Sequence, residues 1–238
     1  MEKGGIGLTE LALCVVEAFT SPVWNSNFVL FAGRDDHAIP EEDAKEYINR
    51  ACRYAKHHQV YVVPERFFLQ EYHCMCLIAP DGRVLGAQRA LFRHVHHTNH
   101  PQGTDLEVIT TEFGGITLCV DVDIFHPEVA RMAASMGAQV LICSQAISPV
   151  DYHSGMIVSG VWNAAQSNPL FVVGICPMGH CVCAPRALTK NRDGFLIAPA
   201  AKTPLHTRFT ADVLAELPMR FCLSRRFYAI HRADLIGE

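Results

Sequence analysis

The stretch from Gly115 to Cys143 constrains this chain more than any other part of it. Gly115-Ile116-Thr117-Leu118-Cys119-Val120 is an apolar, β-branched run of strand character that stops at Asp121. Pro127 stands at a permitted first-turn position of a helix in which Val129, Met132, Ala133 and Met136 share one face. Val140 to Cys143 is again a strand. A helix set between two strands in so short a span reads as one element of an α/β chain, with the helix lying outside a sheet.

The remaining elements agree. Leu11 to Val16 is a short buried strand that delivers Glu17 at its C-terminal end. Ala18-Phe19-Thr20-Ser21-Pro22 leaves the sheet, and the next element is a helix opened by Pro40-Glu41-Glu42-Asp43, with Tyr47, Ile48, Ala51, Cys52 and Ala55 as its apolar stripe. Val60 to Val63 is a strand. Tyr72 to Ala79, the turn Pro80-Asp81-Gly82 and the run from Arg83 to Gly86 form a hairpin. A second hairpin runs from Leu106 through Phe113-Gly114-Gly115 to Val120, and helix 155–166 and strand 170–176 follow Cys143. Strands alternating with helices, with hairpins added, predict a mixed sheet covered by helices.

The chain has 238 residues, half of them hydrophobic, which suffices for one core, so residues 1–238 are read as a single domain. Lys plus Arg number 20 against 24 Asp plus Glu, and a net charge of −4 offers no broad basic field to nucleic acid or to a membrane surface. The start Met1-Glu2-Lys3-Gly4-Gly5 lacks a signal-peptide layout, and no apolar run reaches the ~18 residues of a membrane span. The ten cysteines are scattered through apolar runs, as at Cys14, Cys74, Cys76 and Cys143, which suits a reducing cytoplasm. Cys181-Val182-Cys183 has one intervening residue and is not a zinc spacing.

Cys119 is the candidate nucleophile, because a thiol where a strand gives way to a turn can meet backbone N–H groups that face the atom it attacks. A cysteine in an apolar run is otherwise a small hydrophobe. Its neighbours point further: Leu118-Cys119-Val120-Asp121, then Pro127-Glu128-Val129-Ala130-Arg131 and Gly137-Ala138-Gln139-Val140-Leu141-Ile142, resemble the nucleophile segment of the nitrilase, or carbon–nitrogen hydrolase, superfamily. There a Cys-aromatic-Asp run precedes Phe-Pro-Glu, a helix and a Gly-Ala strand entry. The resemblance spans about Gly5 to Gly194 and fades beyond Cys176.

The resemblance implies an α-β-β-α sandwich of two mixed sheets, paired through outer helices into a homodimer or higher homo-oligomer. It implies a thiol-dependent hydrolase that turns an amide or nitrile into an acid through a Cys119 thioester, with no cofactor. Glu17, in Leu13-Cys14-Val15-Val16-Glu17-Ala18-Phe19, takes the place of the general base, the Val120 backbone N–H steadies the oxyanion, and Asp121 secures the turn. The family's lysine position, in Gly86-Ala87-Gln88-Arg89-Ala90-Leu91-Phe92, is held by Ala90.

A methyl group donates no hydrogen bond, and loss of one oxyanion donor costs on the order of 10²–10³ in turnover. Arg89 is adjacent, but successive strand side chains face opposite ways, so it substitutes only through a bulge or register shift. Arg93 or a histidine of the following loop is the other candidate. That loop, Arg93-His94-Val95-His96-His97-Thr98-Asn99-His100, holds no carboxylate; His94 and His96 are read as lining the substrate mouth, with metal binding as the lesser reading. Trp24 and Asn168, the latter matching the family's Asn at a helix end, complete the expected substrate-binding set, while Ser167 stands where the family has Glu. Glu17 comes early for this family, which implies that its first strand is lacking. The competing reading is a non-catalytic relative serving binding or assembly.

Overall fold

The computed structural model describes residues 8–33, 38–93, 100–147 and 152–217. Six strands of the first half build one sheet: β1 (Leu11–Glu17), β2 (Phe28–Ala32), β3 (Tyr61–Val63), β4 (Phe67–Leu69), β5 (Tyr72–Ile78) and β6 (Val84–Arg89). The second sheet contains β7 (Ile109–Thr111), β8 (Gly114–Val120), β9 (Ala138–Ser144), β10 (Phe171–Ile175), β11 (His180–Cys183) and β12 (Phe195–Ala201). The chain then returns to the first sheet as β13 (Leu205–Phe209). The orders are β13-β1-β2-β3-β5-β4, with β6 on β5, and β12-β11-β10-β9-β8-β7. In each sheet three neighbouring strands run parallel, β1-β2-β3 and β8-β9-β10.

The two sheets face each other across an apolar core. Alternate residues of each strand supply it: Leu11, Leu13 and Val15 from β1, Phe28 and Leu30 from β2, Leu118 and Val120 from β8, and Val140 and Ile142 from β9. At roughly 1.5–3 kcal/mol for each large side chain taken from water, this layer supplies the main driving force for the sandwich. The opposite faces meet helices. α1 (Glu41–His58) packs Ala44, Tyr47, Ala51 and Ala55 onto Cys14, Val29 and Val62. Outside the second sheet lie α2 (Pro127–Ser135) and a longer helix made of α3 (Ser154–Ile157), a π-helical segment Val158–Trp162 and α4 (Asn163–Ser167). That helix sits close to β10 because a Cβ on Gly174 would lie 2.8 Å from Val161 Cγ2.

The mixed sheets covered by helices are as the sequence pattern predicts, and the two-sheet sandwich is as the resemblance implies. β1, ahead of which the resemblance implies a lacking strand, takes its second partner from the far end of the described chain. β1 is paired on both edges, by β13 antiparallel and by β2 parallel, so its N–H and C=O groups are satisfied. The economy lies in the link from β1 to β2. Parallel strands usually require a helical crossover, whereas here residues 18–27 form only turns, tied down by Asn27, whose Oδ1 accepts from the Ala12 amide at 2.8 Å. Among the described residues no helix is long and apolar enough to cross a membrane.

Candidate functional site

The carboxyl ends of the two parallel triplets point the same way and converge between the sheets. Such a convergence is where α/β proteins place ligands, because loops leave the strands there with free backbone groups. Four of these ends enclose a polar hole of about 10 Å³: Gly33 after β2, Glu65 and Arg66 after β3, Ser144 and Gln145 at the end of β9, and Pro177 after β10. Sharing Gly33 and Pro177 with it is a wider groove of about 310 Å³, lined also by Glu17, Met178, His180 and Lys202.

At the end of β8 the chain makes a sharp turn. Asp121 sits there with φ +55°, a left-handed conformation that a non-glycine residue holds only where its surroundings fix it. Its Oδ1 accepts from the Ala146 amide at 2.8 Å, while Oδ2 is buried with no partner among the protein atoms. Arg66 is 4 % exposed, its Nη1 likewise unpartnered, and it lies near enough to Asp121 to interact electrostatically. Burial lowers the Arg66 pKa, and the negative charge of Asp121 opposes that. Gln145 is 1 % exposed with both its amide nitrogen and oxygen unpartnered. Burial drives the neighbouring His180 imidazole down to about 4, so it is neutral at physiological pH.

The arrangement separates the residues that the sequence brings together. Cys119 is 0 % exposed and packs among Ile124, Ala133, Leu141 and Val161 on the helix side of the second sheet. Alternation along β8 dictates this: Leu118 and Val120 face the other sheet, so the residue between them faces the helices. Burial pushes its thiol well above the ordinary thiol range, and the adjacent Cys143 thiol adds to the rise. Glu17 is exposed at the end of β1, in the groove, where Cys119 is not. The expected thiol and carboxylate pair is therefore not assembled: one lies in a dry core between sheet and helices, the other on the wet side of the strand ends.

The support residues are also redistributed. The Val120 backbone contributes a hydrogen bond to Asp123 rather than facing a reacting carbonyl. Asp123 also accepts from the Leu91 amide at 3.0 Å and the Phe92 amide at 2.8 Å, so it ties the turn to the end of β6 while Asp121 ties it to Ala146. Burial raises the Asp123 carboxyl to about 7 against the pull of those N–H groups. Ala90 is 7 % exposed and packs into the core between the sheets, with its amide donating to the His73 carbonyl at 2.8 Å. Arg89 faces away from it, its guanidinium 4.1 Å from the centre of the Tyr72 ring, at a separate groove on the sheet edge. No register shift brings it to the position of Ala90, since β5 and β6 pair regularly from Leu77 to Cys74.

Of the expected substrate-binding residues, Trp24 is 84 % exposed on the β1–β2 link and lines neither hole nor groove. Asn168 is buried on the helix layer, donating to the Ala164 carbonyl at 3.0 Å and bordering a cleft between α2 and α4. His94 and His96 lie outside the described residues. His100, of the same loop, stacks on Phe68 and bonds the Glu71 carbonyl. Among the described residues no group of three or more side chains could hold a metal ion.

No family model matches the chain, and no curated protein matches it by sequence. Solved structures do. An amidase from Nesterenkonia sp. AN1, in a mutant carrying the acetamide moiety of fluoroacetamide at its active-site cysteine, superposes with a TM-score of 0.67 at 13 % identity over 93 % of this chain and 98 % of its own. The carbon–nitrogen hydrolase from Helicobacter pylori G27 gives 0.69 at 15 % identity over 96 % and 99 %. Saccharomyces cerevisiae Nit3, a member of branch 10 of the nitrilase superfamily, gives 0.69 at 14 % identity over 88 % and 93 %. This chain has the α-β-β-α fold of the nitrilase superfamily.

Proposed function

We propose that this chain is a divergent member of the nitrilase superfamily in which the strand-end site binds a small molecule without thiol catalysis. One observation carries the reading: the residue at the turn after β8 is a carboxylate, Asp121, and the nearest thiol along the strand is sealed beneath the helices. A buried thiol held above its usual range is neither a nucleophile nor reachable. Ala90 adds to this, because a methyl in the lysine position stabilises no oxyanion. Purified protein incubated with short aliphatic amides and nitriles tests the reading. Ammonia release abolished by Cys119→Ala would overturn it; no release above buffer supports it.

A second reading keeps the carbon–nitrogen hydrolase chemistry of the structural neighbours but moves it to Asp121. It is favoured by the position of that carboxylate at a strained turn beside a buried arginine, where a carboxylate can activate water or attack directly. Amide turnover that survives Cys119→Ala and disappears in Asp121→Asn would select it. For assembly we propose a homodimer through the helix layer, where Met132, Met136 and Val158 are about half exposed.

A further inference from the structure

We infer that the hole between Gly33, Arg66 and Gln145 is a hydroxyl site: it takes one neutral O–H oxygen, from water or from the end of a small alcohol lying in the adjoining groove. The inference rests on the binding reading of the strand-end site and names the chemistry of what it binds.

Size sets the first limit. A hole of about 10 Å³ holds one oxygen atom and little more, since roughly 10–15 Å³ accommodates a single water. Charge sets the second. Glu65 and Arg66 both line the hole, so a head group of either sign meets a like charge beside an opposite one, while it would lose its hydration shell in so small a space. Hydrogen-bonding capacity sets the third. Arg66 Nη1 is a donor, Gln145 presents one donor and one acceptor, and each is buried without a protein partner. A hydroxyl accepts and donates at once and satisfies such a set, whereas buried polar groups left without partners are destabilising. The hole opens toward the groove of about 310 Å³ through the residues they share, Gly33 and Pro177, which gives room for a short carbon chain behind the hydroxyl.

The test is a titration followed by the backbone amide resonances of Gly33 and Ser144, with propan-1-ol, propionamide, propionate and propylammonium as probes. The expected result is saturable shifts with propan-1-ol only, weakened about tenfold in Arg66→Met, the equivalent of one hydrogen bond to a charged group. If propan-1-ol does not bind but a long-lived water gives cross-relaxation to these amides, water is the resident source and the hydroxyl chemistry stands. Tighter binding of propionamide, propionate or propylammonium, or neither a resident water nor alcohol binding, would overturn the inference. Should Arg66→Met fail to fold, Gln145→Met gives the same comparison at nearly constant volume. A sample that hydrolyses amides yet still takes propan-1-ol loses the non-catalytic reading and keeps the hydroxyl site, so the two fail separately.

Discussion

Cys119 and Asp121 are two residues apart, and they occupy opposite kinds of surroundings. The first is a small apolar filler: its sulfur touches aliphatic side chains and Cys143, and nothing around it asks for a ligand. The second is held in a left-handed turn, with one carboxylate oxygen bonded to Ala146 and the other buried without a protein partner beside Arg66. Continued as a strand, residues two apart would share one face; the chain instead leaves β8 after Val120 and turns at Asp121 with a positive φ. Whether a reactive group meets solvent is therefore decided by where the strand stops, and β8 stops at Val120. The comparison teaches that the type of residue at a strand end counts for less than its phase relative to the turn.

The largest effect that can break this contrast is expected at Asp121. Asp121→Val puts a β-branched side chain at φ +55° and leaves the Ala146 N–H unpaired. The combined cost is about 3 kcal/mol, to be read by urea unfolding. Cys119→Ala should cost less, about 1–2 kcal/mol for a small cavity in the dry layer, and should leave any binding at the strand ends unchanged.

The pH dependence separates the two sides further. Asp123 titrates near 7 in the folded protein, above an unfolded carboxyl, so the folded state binds more protons between about pH 4 and 7. Stability from this group is present at low pH and falls as pH rises through that window, by about 1.4 kcal/mol per unit at most. His180 works in the opposite sense: with its folded pKa near 4, stability rises with pH between about 4 and 6.5. Unfolding midpoints across pH 4–7.5 for Asp123→Asn should therefore lack the decline relative to the parent protein, and those for His180→Gln should lack the rise. Parallel profiles for parent and variants would contradict both assignments. Smallest in energy is the helix-layer contact. Met132→Lys with Val158→Lys should shift a dimer to monomer in light scattering without a change in unfolding midpoint at high dilution, and a monomeric parent protein would dispose of the proposed pairing.

Much of the architecture is legible in the chain. The apolar runs of β1, β5, β8, β9 and β10, the Pro-opened α1 and α2 and the turn at Pro80-Asp81-Gly82 all announce themselves, because each pattern reflects a local preference. β2 does not. Phe28–Ala32 is apolar enough to be a strand, but it follows β1 after a link with no crossover helix, so the pattern between Pro22 and Pro40 reads as irregular. β13 is missed because its pairing with β1 is long-range and its faces alternate poorly in polarity. At the site, the placing of Cys119 depends on strand phase, which a one-residue difference reverses. Arg66, Gln145 and Gly33 carry one faint signal: an arginine closely following the buried strand Tyr61–Val63 and Pro64 is an uncommon place for a charge.

The account turns on which side of β8 is chemically available, and alkylation of the folded protein reads that directly. Incubated with iodoacetamide at neutral pH and then mapped by peptide mass spectrometry, the native chain should carry label at the partly exposed Cys52 well before any at Cys119, which should react only after unfolding. An adduct that forms first on Cys119 in folded protein would contradict the account and return the thiol to the centre of the site.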